Sequence, residues 1–116
     1  MKDFIKVMKA LSDETRLRIL NVLLVRGCCV CEIMQALDIS QSRASRNLSI
    51  LQDAGFLTAQ RDGTWIVYSI DWQTVNRYAA SLAKLLRDFP ISHEALTQDK
   101  ERLKHAVRVG TTVLRK

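Results

Sequence analysis

Three thiols in four positions are the first chemistry this chain offers. Cys28, Cys29 and Cys31 are its only cysteines, in the stretch Arg26-Gly27-Cys28-Cys29-Val30-Cys31-Glu32. Random placement would cluster three cysteines so tightly in about one sequence in a thousand, so their position carries information. They close no useful loop as a disulfide framework. A lone cysteine is most often a small core residue, and neighbouring thiols can act as a redox switch. Three together suit a soft ion, because soft thiolates select soft ions. With Glu32 as the sole further donor nearby, they fit three-coordinate As(III) or Sb(III) better than a four-coordinate metal such as zinc. On a regular helix Cys28 and Cys31 sit about 60° apart, with Cys29 about 100° to the other side of Cys28. One ion then reaches all three only by distorting that turn, which is a mechanism for a switch. The helix N-terminus and Arg26 are expected to favour thiolates there, and Glu32 to oppose them.

The elements that must position these thiols fit in one domain spanning residues 1–116, with 47% hydrophobic residues to fill a modest core. No apolar run is long enough to span a membrane. Met1-Lys2-Asp3-Phe4 lacks the apolar core of a signal peptide, so a cytoplasmic location with reduced thiols is expected. The net charge of +6 favours a polyanion partner. There is no Cys-x-x-Cys on a βαβ pattern, no Gly-rich phosphate loop and no Ser-His-Asp constellation, so an enzyme is not expected.

Phe4, Ile5, Met8 and Leu11 lie at helical spacing and predict a first helix over residues 2–10. Ser12 is the expected N-cap of a second, which carries Leu17, Ile19, Leu20, Leu23 and Leu24 and stops at Gly27 as its C′ residue. A third helix is expected from about Val30 to Leu37, burying Val30, Ile33 and Leu37, then a turn Asp38-Ile39-Ser40. Ser40 caps a fourth helix from Gln41 to about Ala54, with Gly55 as its stop. Two short helices so joined form a helix-turn-helix.

On the fourth helix Ala44, Leu48 and Leu51 form the core face, while Ser42, Arg46, Ser49 and Asp53 lie opposite, flanked by Arg43 and Ser45. Short hydroxyl side chains let a backbone approach DNA closely, and arginine pairs with guanine edges or phosphates. Gln41, Ser42, Arg43, Ser45, Arg46 and Ser49 are therefore the candidate DNA-reading residues. Phe56–Arg61 and Trp65–Ile70 read as strands around an Asp62-Gly63 turn, placing Arg61 and Thr64 at a wing tip against the phosphate backbone. The expected fold is mainly α with a β-hairpin wing (α+β): a winged helix-turn-helix with four helices, the hairpin, and two more helices.

The fifth helix is predicted from about Trp72 to Phe89, with Trp72, Val75, Ala79, Leu82, Leu86 and Phe89 as an a/d seam. Such a seam on a terminal helix, together with Phe4 and Met8, predicts a homodimer interface, and a two-fold protein suits a palindromic operator. Packing within the same domain is the alternative use of that stripe. Pro90 ends the helix, and Ser92 is the expected cap of a last one, His93 to about Val107. His93 and His105 read as surface residues, and the basic Arg115-Lys116 end is expected to fray.

Residues 11–70 resemble the ArsR/SmtB family of winged-helix, metal-responsive repressors. Leu11-Ser12-Asp13-Glu14-Thr15-Arg16-Leu17-Arg18-Ile19-Leu20 matches its opening motif, Ser40–Leu48 resembles its recognition helix, and Arg61-Asp62-Gly63-Thr64-Trp65 its wing. Cys29-Val30-Cys31-Glu32 is similar to the Cys-Val-Cys-Asp signature of arsenic- and cadmium-sensing members. The resemblance implies a homodimer that represses a resistance operon and leaves its operator DNA when a toxic metal or metalloid binds. Where arsenic sensors of the best-known pattern supply a third cysteine, this chain has Met34, and it carries Cys28 instead, which points to Cys28 as the third ligand. The resemblance implies cysteines from an N-terminal arm in cadmium and lead sensors, and residues 1–27 here carry none. The fifth helix region offers Asp71 and Asp88 but none of the histidines of zinc sensors. Both departures favour As(III) or Sb(III) as effector. A redox-responsive or a cadmium-, lead- or zinc-responsive repressor of the same fold is the alternative.

Overall fold

The computed structural model describes residues 1–109. The order is α1 (Lys2–Leu11), α2 (Glu14–Leu23), β1 (Cys28–Cys29), α3 (Val30–Leu37), α4 (Gln41–Asp53), β2 (Leu57–Asp62), β3 (Trp65–Ile70), α5 (Arg77–Asp88) and α6 (Glu94–Leu103). The six helices and the hairpin are those the sequence predicts. The expected Arg115-Lys116 fray lies outside the described residues.

Local chemistry shifts several boundaries. Ser12 closes α1, its hydroxyl donating to Met8 O at 2.8 Å, and Asp13 is the N-cap of α2, accepting from Arg16 N at 3.1 Å. A carboxylate at the positive helix end wins over the hydroxyl beside it. Gly27 is not a left-handed cap, since α2 ends at Leu23; a Cβ at Gly27 would meet Ser69 Oγ at 2.7 Å and Tyr68 O at 3.2 Å. The glycine lets the chain press against β3. There Cys28 pairs with Tyr68 and Cys29 with Val67, making β1 the third strand of an antiparallel sheet ordered β1-β3-β2. In the hairpin, Asp62 belongs to β2 and pairs with Trp65, so the turn residues are Gly63 and Thr64, one later than expected, with Gly63 at φ +64°.

The fifth helix starts later than its a/d pattern suggests. Trp72 and Val75 precede it, because three side chains fold this stretch back on its own backbone. Asp71 Oδ1 accepts from Gln73 N, Thr74 Oγ1 from Asn76 N, and Asn76 Oδ1 from Tyr78 N as the helix cap. Asn76 Nδ2 also donates to Ala54 O at the end of α4 and to Asp3 O on α1, at 3.2 and 3.4 Å. Phe89 is the C-cap of α5. His93, rather than Ser92, caps α6, its Nδ1 accepting from Ala95 N at 3.1 Å, and α6 ends at Leu103, short of Val107.

Ile19, Leu20, Ile33, Leu37, Leu48, Leu51 and Phe56 fill the core where α2, α3 and α4 meet. Val30 stays half-buried. Helix α6 packs on α2 and α3 through a buried ionic knot. Asp99, fully covered, takes two hydrogen bonds of 2.8 Å from Arg18 and one of 2.8 Å from Arg102. The same arginines donate to Leu37 O and Ala36 O at the C-terminal end of α3, where orphan carbonyls need donors.

Candidate functional site

The thiols sit where a strand becomes a helix. Cys29 is the N-cap of α3, and its N–H donates to Glu32 Oε1 at 3.0 Å, the Glu-to-backbone arm of a capping box with cysteine in the serine position. Cys31, the second residue of α3, is brought to Cys29 with the two sulfurs 2.7 Å apart and unbridged by a disulfide. Cys28 is not part of that pair. Successive strand residues project to opposite faces, and Cys28 joins the hydrophobic core, its Sγ 3.6 Å from Arg26 Nη1 and 3.5 Å from Arg26 O. Met34 is buried in the same core cluster. The helical geometry expected for all three cysteines therefore gives way to a strand–helix junction that presents a dithiol. Among the described residues, no three or more Cys, His, Asp or Glu side chains are grouped to hold a metal ion.

Burial governs the acid–base state of this site. It pushes the Cys28 thiol up to about 12 against the pull of Arg26. Burial and the hydrogen bond with Cys31 push Cys29 up to about 12 as well. The expected thiolate stabilisation by Arg26 and the helix end is thus outweighed. Both thiols rest protonated at neutral pH, and their contribution to stability, complete below the ordinary value near 9, is lost as pH rises toward 12. Glu32 is an anion: against the upward pull of burial, hydrogen bonds from Cys29 N–H and Arg26 bring it below its ordinary value.

Around the pair lie residues that the sequence patterns did not single out. Gln35 Nε2 donates to Cys31 O at 2.9 Å and to Val107 O at 2.7 Å, while Val107 N donates to Gln35 Oε1 at 3.1 Å. Arg108 reaches Glu32 Oε1 at 3.5 Å and Asp62 Oδ2 at 2.7 Å, with its guanidinium 5.8 Å from the Trp65 ring centroid. Glu32 was legible, since Cys29-x-x-Glu32 has capping-box spacing. Nothing local signals the contacts from residues 107 and 108.

The second candidate surface is α4 with the hairpin. Ser40 Oγ accepts from Arg43 N, as predicted, and Ala44, Leu48 and Leu51 face the core. Gln41, Ser42, Arg46 and Ser49 are exposed, Ser45 is half-buried, and Arg61 and Thr64 stand exposed at and beside the hairpin turn. Arg43, though exposed, is braced on α2, its Nη2 2.6 Å from Thr15 Oγ1. Arg16 holds the adjoining Asn47, which in turn donates to Arg43 O. These bonds fix α4 on α2; on the exposed face of α4, Arg46 has no such brace among the described residues. Arg46→Ala is expected to weaken DNA binding and to lower the salt dependence by about one counterion, as a titration of operator DNA against salt would show.

The third surface is apolar. Phe4 and Tyr78 meet edge-to-face at 5.2 Å, joining α1 to α5. Phe4, Met8, Trp72, Val75 and Phe89 are exposed and Leu82 and Leu86 half-buried, whereas Ala79 is fully covered within the protomer. Arg87 stacks 4.9 Å from the centroid of the Trp72 ring. No helix among the described residues is long and apolar enough to cross a membrane.

Comparison with known proteins matches this arrangement. The model of the arsR family of bacterial regulatory proteins fits residues 13–59. The chain is 36% identical over 77 residues to the arsenical resistance operon repressor of Bacillus subtilis, covering 66% of this chain and 73% of that protein. It is 37% identical over 76 residues to a homologue of the cadmium resistance regulatory protein CadC from Staphylococcus aureus, covering 65% and 63%. The matches span between 51% and 73% of the length of four arsenic-linked relatives. Among solved structures, the homodimeric winged helix-turn-helix DNA-binding domain of Mb0332 from Mycobacterium bovis superposes with a TM-score of 0.63 at 29% identity, covering 80% of this chain and 85% of that one. The chain belongs to the arsR family of bacterial regulatory proteins, as a winged-helix transcription regulator.

Proposed function

We propose that the protein is a cytoplasmic repressor that binds operator DNA as a homodimer and releases it when As(III) or Sb(III) occupies the thiols. The observation that carries this reading is the Cys29–Cys31 pair, 2.7 Å apart at the first turn of the helix that supports α4. Two bonds of about 2.3 Å to one ion, at about 90–110°, hold the sulfurs about 3.3–3.8 Å apart. Occupation therefore fixes the separation and direction of the two sulfurs, and with them the capping turn that carries both. Arsenous acid reacts with protonated thiols directly: each As–OH is exchanged for As–S, and the thiol proton leaves with the hydroxyl as water.

Cys28 supplies a third sulfur only by leaving the core and its contacts with Arg26, which would draw β1 away from β3. That displacement suits a switch, since the ligand then favours a shape that differs from the resting one. The dimer buries the exposed side chains of α1 and α5 and the preceding turn, with Ala79 serving the protomer's own core rather than the seam. Loss of operator binding on adding arsenite, followed by fluorescence anisotropy, tests the reading, and operator affinity indifferent to arsenite and antimonite would refute it.

A divalent soft metal is the second reading, favoured by the similarity to the CadC homologue. The raised Cys29 thiol separates the two. A divalent cation binds it as thiolate and must expel its proton, so its affinity rises by about tenfold per pH unit on that account. Arsenous acid releases no net proton, and its affinity is expected to stay flat from pH 6 to 8. Isothermal titration of arsenite and of cadmium at three pH values distinguishes them.

A further inference from the structure

The proposed effector site and the wing are far apart in sequence, yet one short segment touches both. Residues 104–109 leave α6 and run over the first turn of α3 to the hairpin. Each residue of the dithiol is tied to this segment through one intermediary. Cys29 N–H is held by Glu32, whose same oxygen receives Arg108; Cys31 O is held by Gln35, whose carboxamide exchanges two hydrogen bonds with Val107. The far end grips the wing: Arg108 bonds Asp62 at 2.7 Å, and Trp65 Nε1 donates to Val109 O at 3.2 Å.

We propose that residues 104–109 form a strap that reports the state of the Cys29–Cys31 pair to the wing, with Gln35 and Arg108 as the positioning residues at its two attachments. This rests on the repressor reading for its biological use, but the physical link does not. An ion bonded to both sulfurs constrains Cys29 and Cys31 together, and so moves the Cys29 N–H and the Cys31 carbonyl against each other. Glu32 and Gln35 each hold one of those groups, so both attachments shift together. The wing residues Asp62 and Trp65 follow because Arg108 and Val109 hold them. Arg108 is shared between a buried carboxylate, Glu32, and an exposed one, Asp62. A change at Glu32 alters how that guanidinium is divided between them, and the wing is the free partner.

The test reads the Trp65 indole N–H signal by 15N NMR in the full chain, assigned with Trp65→Phe, alongside operator affinity with and without arsenite. Arsenite is expected to shift the signal in the parent protein, and Arg108→Ala and Gln35→Ala to suppress the shift. In both variants the arsenite-induced loss of operator affinity should shrink by about fivefold or more, while arsenite still binds. Arg108→Lys, which keeps the charge, should recover part of it. N-ethylmaleimide on Cys31 fills the same place without a metalloid. A Trp65 signal that ignores both reagents, or that shifts equally in Arg108→Ala, overturns the strap. If the signal moves and depends on Arg108 while parent operator affinity ignores arsenite, the strap stands and the repressor reading falls.

Discussion

Cys29→Ser is expected to leave operator affinity within about twofold and to lower arsenite affinity by about 10²–10⁴-fold. Serine keeps the N-cap geometry and is the better cap, so α3 and its Glu32 partner survive the change. What disappears is the second sulfur of a chelate. The first bond to Cys31 still forms, but the second, which the 2.7 Å separation makes intramolecular, does not. Cys31→Ser should behave alike, because the pair acts as one unit. Cys28→Ser is the informative contrast: its side chain lies in the core, so a loss of arsenite response without a loss of folding would mark it as the third donor. Anisotropy with labelled operator, and titration of arsenite into the free protein, read the two properties separately. A Cys29→Ser protein that releases DNA as readily as its parent would sink the dithiol site.

Asp99→Ala should cost about 3 kcal/mol of stability, a large share of what a domain of this size has. The carboxylate is fully buried, and it receives three hydrogen bonds from two arginines that also cap α3. Without it, Arg18, which is held charged first of all by its bond to Asp99, is left partly buried and unpaired. The melting temperature is expected to fall by about 10 °C. Replacing both partners with apolar residues, as in Arg18→Met with Asp99→Leu, should recover most of the loss, since the penalty comes from the orphaned charge rather than from the missing pair. A drop of less than 1 kcal/mol for Asp99→Ala would mean that α6 is held by its leucines alone.

These two sites differ in how visible they were beforehand. The helix-turn-helix was legible because Ser40, Gly55 and the Ala44–Leu48–Leu51 face act locally, within one helix. The thiol cluster was legible by type and spacing, but its geometry was not. Cys28 and Cys29 form a strand only because Gly27 permits close contact with β3, a partner some forty residues later. The a/d spacing of Trp72 and Val75 was misleading for a related reason. Asp71, Thr74 and Asn76 each offer the backbone a turn, and three such offers in succession outweigh a helical pattern. Asp99, Arg108 and Gln35 were silent because their partners lie on other elements, and an ion pair leaves no periodic trace.

Asn76 carries a consequence for how DNA would be measured. Its one carboxamide touches the last turn of α4, the first turn of α5 and the backbone of α1. In the proposed dimer, α1 and α5 lie at the two-fold axis and α4 lies in the groove. The distance between the two recognition helices then depends on this carboxamide in each protomer, together with the bonds that fix α4 on α2. Half-site separation in the operator would be a property of these junctions, and the exposed residues that read bases could change without altering it.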